Sequence, residues 1–366
     1  MSINTEKVWT KKELEAYMKG IKPIHKETQN QMEKYLDGLT KPVGSLGKLE
    51  QLMIKLAGIQ ETMNIQTKPC VTVIMCSDNG VCDQGVSSCP QEVTATVTYN
   101  FTRGITGVNK LSEFAQADIH IVDIGVKADF THPLIHNHKV AYGTKDMTIA
   151  PSMTYEEALE GILVGIEECE KLVEAGYHIF GTGEMGIGNT TTSAAVTAAI
   201  LGLGVEEVTG KGAGAKDTVF NNKINAIKKA FQLHKPDAKD PVDVLAKVGG
   251  LDLAGLVGVY LGAAANKKLV IIDGFISAAA ALIAYKLCPS VKDYMVASHL
   301  SKEVGMKCLL EAIGLEAHFD LDMRLGEGSG CPILFNLIEM AKYTLLGMGT
   351  FEEAGVDKSK YMNIWK

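Results

Sequence analysis

Gly181-Thr-Gly-Glu-Met-Gly-Ile-Gly-Asn-Thr-Thr-Thr192 is the stretch that decides the fold class, because it follows an apolar run and leads into a helical pattern. Its glycines remove side chains, so backbone N–H groups can approach a ligand closely. Glu184 stands among these glycines, although a loop that only binds phosphate avoids carboxylates because like charges repel. The stretch therefore predicts a turn between a strand and a helix, where an anion is held beside a proton acceptor.

Short apolar runs alternate along the chain with helical patterns. The runs are Val71 to Met75, Ile119 to Ile124, Tyr177 to Phe180 and Leu269 to Ile272. The helical patterns are Glu92 to Arg103, Tyr155 to Ala175, Ala194 to Leu203 and Phe275 to Tyr285. Apolar runs with little alternation are typical of strands covered on both faces. We predict an α/β fold: a Rossmann-like, mostly parallel sheet with helices on both faces and ligands at the carboxyl ends of its strands.

The two ends of the chain predict a second, smaller helical unit. Residues 12–63 have helical apolar stripes, and Ile333 to Leu346 is apolar and helical. We expect these segments to pack together. The predicted domains are therefore 1–66 and 331–366 for the small helical domain, and 67–330 for the large α/β domain with the active site.

Composition excludes several classes of partner. The chain has 366 residues, 46% of them hydrophobic, and a net charge of −7. It has no basic block interleaved with aromatic residues, so we expect no nucleic-acid partner. The start of the chain shows no apolar signal region, and the longest charge-free apolar run, Leu253 to Ala265, is too short to span a bilayer. We expect a cytoplasmic protein without membrane contact.

Cysteines and histidines give no metal-site pattern. Four of the eight cysteines cluster at spacings unlike those of zinc sites: Cys70, Cys76, Cys82 and Cys89. We expect reduced thiols that act as small core residues. Three histidines could form a metal patch: His132, His136 and His138. Their loop contains no carboxylate at ligand spacing, so we expect no metal.

The stretch Gly181 to Gly186 also matches the dinucleotide-binding pattern GxGxxG. Glu184 would face a pyrophosphate there, and the motif lies in the middle of the chain rather than in the first strand–helix turn. Glu206 and Glu207 lie about where a ribose-binding acid is expected. An NAD-dependent oxidoreductase therefore stays as an alternative.

The end of the same stretch suits a single phosphate. Asn189 and Thr190 could cap the following helix, while free N–H groups and the helix dipole hold an anion. An ordinary capped helix is the alternative. Lys211, Lys216 and Lys223 are near enough in sequence to supply a cation, although each could equally be a surface lysine.

A second glycine-flanked carboxylate lies in Arg324-Leu-Gly-Glu-Gly-Ser-Gly330. Its neighbours leave Glu327 open to a ligand and sheltered from bulk water, which would raise its pKa toward that of a working base. The alternative is a loop glutamate paired with Arg324. His299 could join this site, but a structural role for it is the simpler expectation.

These motifs and several others resemble the nicotinate-nucleotide–dimethylbenzimidazole phosphoribosyltransferase family nearly from end to end. The stretches that carry the resemblance are Lys41-Pro-Val-Gly-Ser-Leu-Gly-Lys-Leu-Glu50, Pro90-Gln-Glu-Val-Thr94, Gly183-Glu-Met-Gly-Ile-Gly-Asn-Thr-Thr191, Asp273-Gly-Phe-Ile-Ser-Ala-Ala-Ala280, Ser298-His-Leu-Ser301, Leu325-Gly-Glu-Gly-Ser-Gly330 and Thr350-Phe-Glu-Glu-Ala-Gly-Val356. The resemblance implies that an aromatic base attacks the ribose of nicotinate mononucleotide and releases nicotinate, in cobamide biosynthesis. It implies no metal or other cofactor, and a homodimer whose neighbouring subunit closes the site.

The resemblance also implies residue roles. Glu327 would be the base, and Glu184 would position the acceptor or line its pocket. The positions that would hold the nucleotide phosphate are Gly186, Gly188, Asn189, Thr190 and Lys223. The positions near nicotinate and ribose are Ser301, Arg324 and Leu325. The expected base pocket comprises Ser88, Cys89, Thr96 and Met185.

The chain departs from the family pattern near the base pocket. Asn79 stands where an acid-His-Gly turn is common, Cys89 replaces an aromatic residue, Thr96 replaces a glutamine, and Cys331-Pro332 replaces small residues. Loss of an aromatic side chain removes stacking and adds room. The acceptor therefore stays open between a benzimidazole or purine and a phenol such as p-cresol, the latter with a homologous subunit in a heterodimer. A non-catalytic subunit is a further alternative, although the retained Glu327 argues against it.

Overall fold

A single parallel sheet organises the part of the chain that the computed structural model describes, residues 9–210 and 217–357. Its strands are β1 (Cys70–Ser77), β2 (Asp118–Gly125), β3 (Ile135–Asn137), β4 (Ile179–Met185), β5 (Leu269–Ile272), β6 (Met295–His299) and β7 (Ala317–Phe319). All adjacent strands pair in parallel, in the order β3-β2-β1-β4-β5-β6-β7. The order reverses direction between β1 and β4, where such sheets open a crevice for ligands.

Helices cover both faces of the sheet. In the described ranges they are α1 (Lys11–Met18), α2 (Lys26–Asp37), α3 (Lys48–Gln60), α4 (Val93–Thr102), α5 (Gly107–Ala115), α6 (Tyr155–Glu174), α7 (Asn189–Leu201), α8 (Val205–Val208), α9 (Asp217–His234), α10 (Pro241–Val248), α11 (Leu251–Ala265), α12 (Phe275–Leu287), α13 (Met306–Ile313) and α14 (Gly330–Gly347). The predicted α/β fold is confirmed, with the predicted strands at β1, β2, β4 and β5. The predicted helices at α4, α6, α7 and α12 also form.

The predicted end of the fourth strand is wrong. We expected the strand to stop at Phe180, but β4 continues to Met185 and pairs with β1 along its whole length. Its glycines permit close contact rather than a turn: an added Cβ at Gly183 would lie 2.5 Å from the carbonyl oxygen of Glu327. The turn lies instead at Gly188, which has a φ of 93° and precedes α7.

The terminal helices contribute to the same hydrophobic core as the sheet. Leu14, Leu36 and Leu56 from the N-terminal helices and Leu345 from α14 belong to one buried cluster with the strands. Helix α14 also packs against α3 and α5. The division into domains at 66/67 and 330/331 stays a prediction, and residues 1–8 and 358–366 of the predicted small domain lie outside the described residues.

The apolar run that we considered as a bilayer span forms α11, which is buried along nearly its whole length. None of the helices in the described ranges has both the length and the hydrophobicity to cross a membrane. All eight cysteines are free, and the five that are buried fit the core role predicted for them.

Helices α6 and α11 approach each other so closely that only glycine fits at their crossing. An added Cβ at Gly165 would overlap the carbonyl group of Gly255, and one at Gly258 would overlap the carbonyl oxygen of Ile162. Because both obstacles are backbone, neither helix can yield without moving as a whole.

We therefore expect Gly165→Ala to lower the free energy of unfolding by at least about 2 kcal/mol, the cost of overfilling a packed core. Gly349→Ala is the matched control, since an added Cβ there would meet its nearest neighbouring atom at 3.8 Å. Urea denaturation of both variants measures the difference. Equal stability of the two variants would contradict the close helix crossing.

Candidate active site

A cavity of about 290 Å³ lies at the carboxyl ends of β4, β5 and β6. Residues 184–190 line one part of it and residues 324–327 another. All but one of the predicted site residues line this cavity: Glu184, Met185, Gly186, Gly188, Asn189, Thr190, Lys223, Ser301, Arg324, Leu325, Glu327, Ser88 and Cys89. The structure therefore brings together two motifs that are far apart in sequence.

Thr96 is the exception. It is exposed on α4, where its hydroxyl donates a hydrogen bond to the carbonyl oxygen of Glu92, 3.1 Å away. Its neighbour Val97 lines the cavity instead. Successive residues of a helix point about 100° apart, so Thr96 faces away from the wall that Val97 forms. The expectation that Thr96 lines the base pocket does not fit this geometry.

The loop that presents Glu327 has an unusual backbone. Gly326, Glu327 and Gly328 all have positive φ, at 82°, 63° and 88°. A non-glycine residue in this region is strained and needs support from its surroundings. Asp273 gives that support, because its two carboxylate oxygens accept hydrogen bonds from the Gly328 N–H at 3.1 Å and the Gly330 N–H at 2.7 Å.

The Glu327 carboxylate lies at the N-terminus of α5. Its Oε2 accepts a hydrogen bond from the Val108 N–H at 3.1 Å. Burial raises the pKa of Glu327, while the N–H groups of Val108 and Gly107 act in the opposite direction. The predicted alternative of a pair with Arg324 does not describe this site, since the described contact of the carboxylate is with the helix end.

Glu184 is more deeply buried and supports the same loop. It is 6% exposed, and its Oε1 accepts a hydrogen bond from the Glu327 N–H at 3.3 Å. Its Oε2 accepts another from the side-chain amide of Asn189, which also donates to Asp252 at 3.0 Å. Burial, with the nearby charges of Asp252 and Asp273, raises the pKa of Glu184 to about 8. With this pKa most Glu184 side chains hold a proton at neutral pH, so Glu184 is not an available proton acceptor.

The start of α7 forms one end of the cavity. Gly188 caps this helix without any side-chain hydrogen bond, so the predicted capping role of Asn189 is wrong. Its amide is held instead between Glu184 and Asp252. Gly188, Asn189 and Thr190 line the cavity, and the helix dipole at this end would stabilise an anion there.

Lys223 adds a positive charge to this end of the cavity. Its buried Nζ donates to the Thr190 hydroxyl at 3.0 Å, and burial lowers its pKa. Glu303 lines the same end of the cavity. Burial raises its pKa, and the positive charges of Lys223 and Arg324 offset only part of this rise. Lys211 and Lys216, the other two predicted cations, lie outside the described residues.

His299 lines the cavity in its neutral form. Burial lowers its pKa to about 4. Ser298 Oγ donates to the carbonyl oxygen of Asp273 at 3.0 Å and lies 3.0 Å from His299 Nδ1. Nδ1 therefore carries the ring hydrogen and donates it to Ser298, which leaves Nε2 as an acceptor. The ring has a structural bond, as expected, and also borders the ligand space.

Sequence reasoning missed three acids as site residues. Asp273 holds the Glu327 loop, Asp252 shares Asn189 with Glu184, and Glu303 faces Lys223. Asp273 could have been found, because it follows directly after an apolar run that predicts a strand, where parallel sheets place functional side chains. Asp252 lies at the start of α11 and gives no comparable signal.

The cavity at this α/β sheet combines a helix N-terminus, a buried lysine and two unlike carboxyl groups. This combination is typical of an enzyme that acts on a phosphorylated substrate. A family model described as Phosphoribosyltransferase matches residues 21–356, and the chain belongs to this family. The predicted resemblance is confirmed. The chain is therefore a transferase rather than an NAD-dependent oxidoreductase.

Individual relatives agree with this assignment. The chain is 47% identical over 349 residues to a nicotinate-nucleotide–dimethylbenzimidazole phosphoribosyltransferase of Clostridium tetani, covering 95% of this chain and 96% of that protein. It is 48% identical over 346 residues to the protein of that name in Ruminiclostridium cellulolyticum, covering 94% and 98%. The crystal structure of the protein of that name from Thermus thermophilus superposes with a TM-score of 0.86 at 37% identity, covering 92% of this chain and 100% of that one.

The raised pKa of Glu184 predicts a pH-dependent stability. Its pKa is about 8 in the folded protein against an ordinary 4.5, so the folded state keeps a proton that the unfolded chain loses between these values. The stability that the folded protein gains from keeping this proton is complete below about pH 4.5, and it is lost as the pH rises through about 8. Glu184→Gln stays neutral throughout, so its stability relative to the wild type should rise by up to a few kcal/mol between these limits.

Urea denaturation from pH 5 to pH 9 measures this difference. Glu15→Gln is the control, because it removes the same charge from an exposed position on α1. We expect no pH-dependent difference for the control. A flat difference for Glu184→Gln would show that Glu184 is ionised throughout.

Proposed function

We propose that this protein transfers the phosphoribosyl group of nicotinate mononucleotide to 5,6-dimethylbenzimidazole, or to a related benzimidazole or purine, in cobamide biosynthesis. The products are an α-ribotide and nicotinate. One observation supports this reaction above all: the Glu327 carboxylate and the N-terminus of α7 line one cavity. The names of the relatives support the choice of both substrates.

The reaction needs one proton acceptor and no general acid. A ring nitrogen of the acceptor forms a bond to ribose C1′ while the bond from C1′ to the nicotinate nitrogen breaks. The bonding electrons return to the pyridinium ring, so nicotinate leaves with a neutral nitrogen. The acceptor's N–H proton goes to Glu327, and attack from the opposite face gives the α-ribotide.

The surrounding residues hold the nucleotide. The helix end at Gly188 and the Lys223 ammonium would bind its phosphate, with Thr190 fixing the lysine at 3.0 Å. Ser301 and Arg324 border the cavity where nicotinate and ribose would lie. Holding the two reactants in line replaces a bimolecular encounter, which lowers the entropic part of the barrier.

Glu184 acts by position in this proposal. It accepts the Glu327 N–H at 3.3 Å and so fixes the loop that presents the base. Its raised pKa, which results mainly from burial, keeps it protonated at pH 7. A neutral Glu184 adds no second negative charge beside Glu327 and leaves that carboxylate as the proton acceptor.

We also propose that the protein acts in the cytoplasm as a homodimer whose neighbouring subunit closes the site. Leu325, at the mouth of the cavity, is 58% exposed. Phe114 on α5 is 81% exposed and Tyr343 on α14 is 87% exposed, and these two helices pack together. Large exposed apolar side chains on neighbouring packed helices are typical of an interface.

Replacing Glu327 by Gln should lower the rate of nicotinate release by a factor on the order of 10² or more, since the amide cannot accept the proton. The KM for nicotinate mononucleotide should change little, because the carboxylate is not its phosphate contact. Chromatographic assay of nicotinate and the ribotide measures both. Glu316→Gln, an exposed exchange on another surface, is the control. Unchanged turnover in Glu327→Gln would remove this residue from the mechanism.

The acceptor is tested with the wild-type protein and a panel of benzimidazoles, adenine, phenol and p-cresol. We expect a benzimidazole to give the highest kcat/KM. A phenol that reacts faster than every benzimidazole would assign the protein to phenolic ribotides. Absence of nicotinate release with every acceptor would contradict the proposed transfer and favour a non-catalytic subunit.

A further inference from the structure

Three histidines and one glutamate meet at the edge of the sheet formed by β2 and β3. We call this group the histidine cluster: His120, His136, His138 and Glu168. His120 Nε2 lies 2.7 Å from Glu168 Oε2, and His138 Nε2 lies 3.0 Å from Glu168 Oε1. Potential ligand atoms of His120, His136 and Glu168 all lie within 4.8 Å of one another. Such a convergence of nitrogen and oxygen ligands is typical of a metal site.

Strand register brings the histidines together. His136 on β3 pairs with Val122 on β2, so it shares a face with Val122 and with His120 two residues earlier. His138 is the first residue after β3, and its side chain also reaches Glu168. Its N–H donates to the carbonyl oxygen of Asp123 at 2.9 Å, which holds it beside β2. Helix α6 covers this face and supplies Glu168.

Glu168 is the unusual member of the cluster. Its side chain is 1% exposed, and a buried carboxylate costs free energy unless cations or hydrogen bonds compensate it. Lys171, one turn later on α6, supplies a cation at 2.5 Å from Oε1. The lysine side chain is 43% exposed, so it has room to swing into solvent and free this oxygen.

The geometry points to binding of a divalent transition-metal ion by the histidine cluster, with Zn²⁺ the ion that its donors fit best. Imidazole nitrogen and carboxylate oxygen bind Zn²⁺ at about 2.0–2.2 Å, which places neighbouring ligand atoms of a tetrahedral site about 3.3 Å apart. The 2.7 Å contact between His120 and Glu168 needs to open by about half an ångström, and the ligand atom of His136 already lies within 4.8 Å of both. His120, His136 and Glu168 would be the ligands, with His138 a hydrogen-bond partner of Glu168 Oε1 and Lys171 displaced.

The role of this ion is structural. None of the four residues of the histidine cluster lines the active-site cavity. Strand β3 has only three residues and forms the edge of the sheet, and a metal shared with α6 would tie it to the covering helix. The proposed metal site differs from the sequence-based expectation of no metal. That expectation considered only carboxylates close to the histidines in sequence.

Titration of the metal-free, full-length protein with ZnCl₂ tests the inference by calorimetry and by the shift in Tm. We expect one tightly bound equivalent and a rise in Tm, because a ligand of the native state stabilises it. His136→Ala should weaken the affinity at least tenfold and abolish the rise; this side chain is exposed, so folding should be retained. His132→Ala, a nearby histidine outside the cluster, is the matched control and should bind as the wild type does.

Lys171→Met distinguishes a metal site from a network of ion pairs. Removing the competing ammonium should tighten Zn²⁺ binding several-fold, whereas a cluster built only to pair Glu168 with cations would gain nothing. Unchanged or weaker binding in Lys171→Met would contradict the role of Glu168. Equal affinity in the wild type and His136→Ala, or sulfur-to-metal charge-transfer bands with Co²⁺, would place the ion elsewhere and overturn the inference.

Discussion

The architecture of the active site depends on a contact between strand β4 and the strained loop that contains Glu327. At Gly183 the strand β4 has no side chain, so the backbone at Glu327 can lie against it. Asp273, from the end of β5, binds the N–H groups of Gly328 and Gly330, and Glu184 binds the N–H of Glu327. Two buried acids thus hold a loop whose central residue has a φ of 63°. Without these bonds the strained conformation would relax and the Glu327 side chain would leave the cavity.

The same contact gives Glu184 and Glu327 different environments. Burial and neighbouring acids raise the pKa of Glu184 to about 8, whereas Glu327 is half-buried and lies against a helix N-terminus. Environments that differ in this way assign unlike roles to identical side chains. The proposed reaction needs a single proton acceptor, so a protonated supporting acid and an accessible base are sufficient. In the proposed reaction the helix end at Gly188 would hold the anion on the other side of the ribose.

Local signals in the sequence were enough for the layers of the fold and for the two glycine-flanked carboxylates of the cavity, whereas Ser88 and Cys89 were predicted only from the family resemblance. Unalternated apolar runs identified β1, β2, β4 and β5, because strands covered on both faces need no polar side. They failed where distant contacts decide. Strands β3 and β7 have three residues each, and β4 continues through Gly181 and Gly183, where Cys331 of α14 and the Glu327 loop pack against it. The same limit applies to Glu168, which reaches the histidines only through the packing of α6, and to Thr96, whose direction depends on the helix it lies in.

The most direct test of the central claim is a crystal structure of the protein with 5,6-dimethylbenzimidazole and nicotinate mononucleotide bound. The account predicts that a ring nitrogen of the acceptor lies about 2.6–3.2 Å from a Glu327 carboxylate oxygen, with the phosphate at the N-terminus of α7. An acceptor nitrogen bonded to another residue, with Glu327 still held at the end of α5, would contradict it.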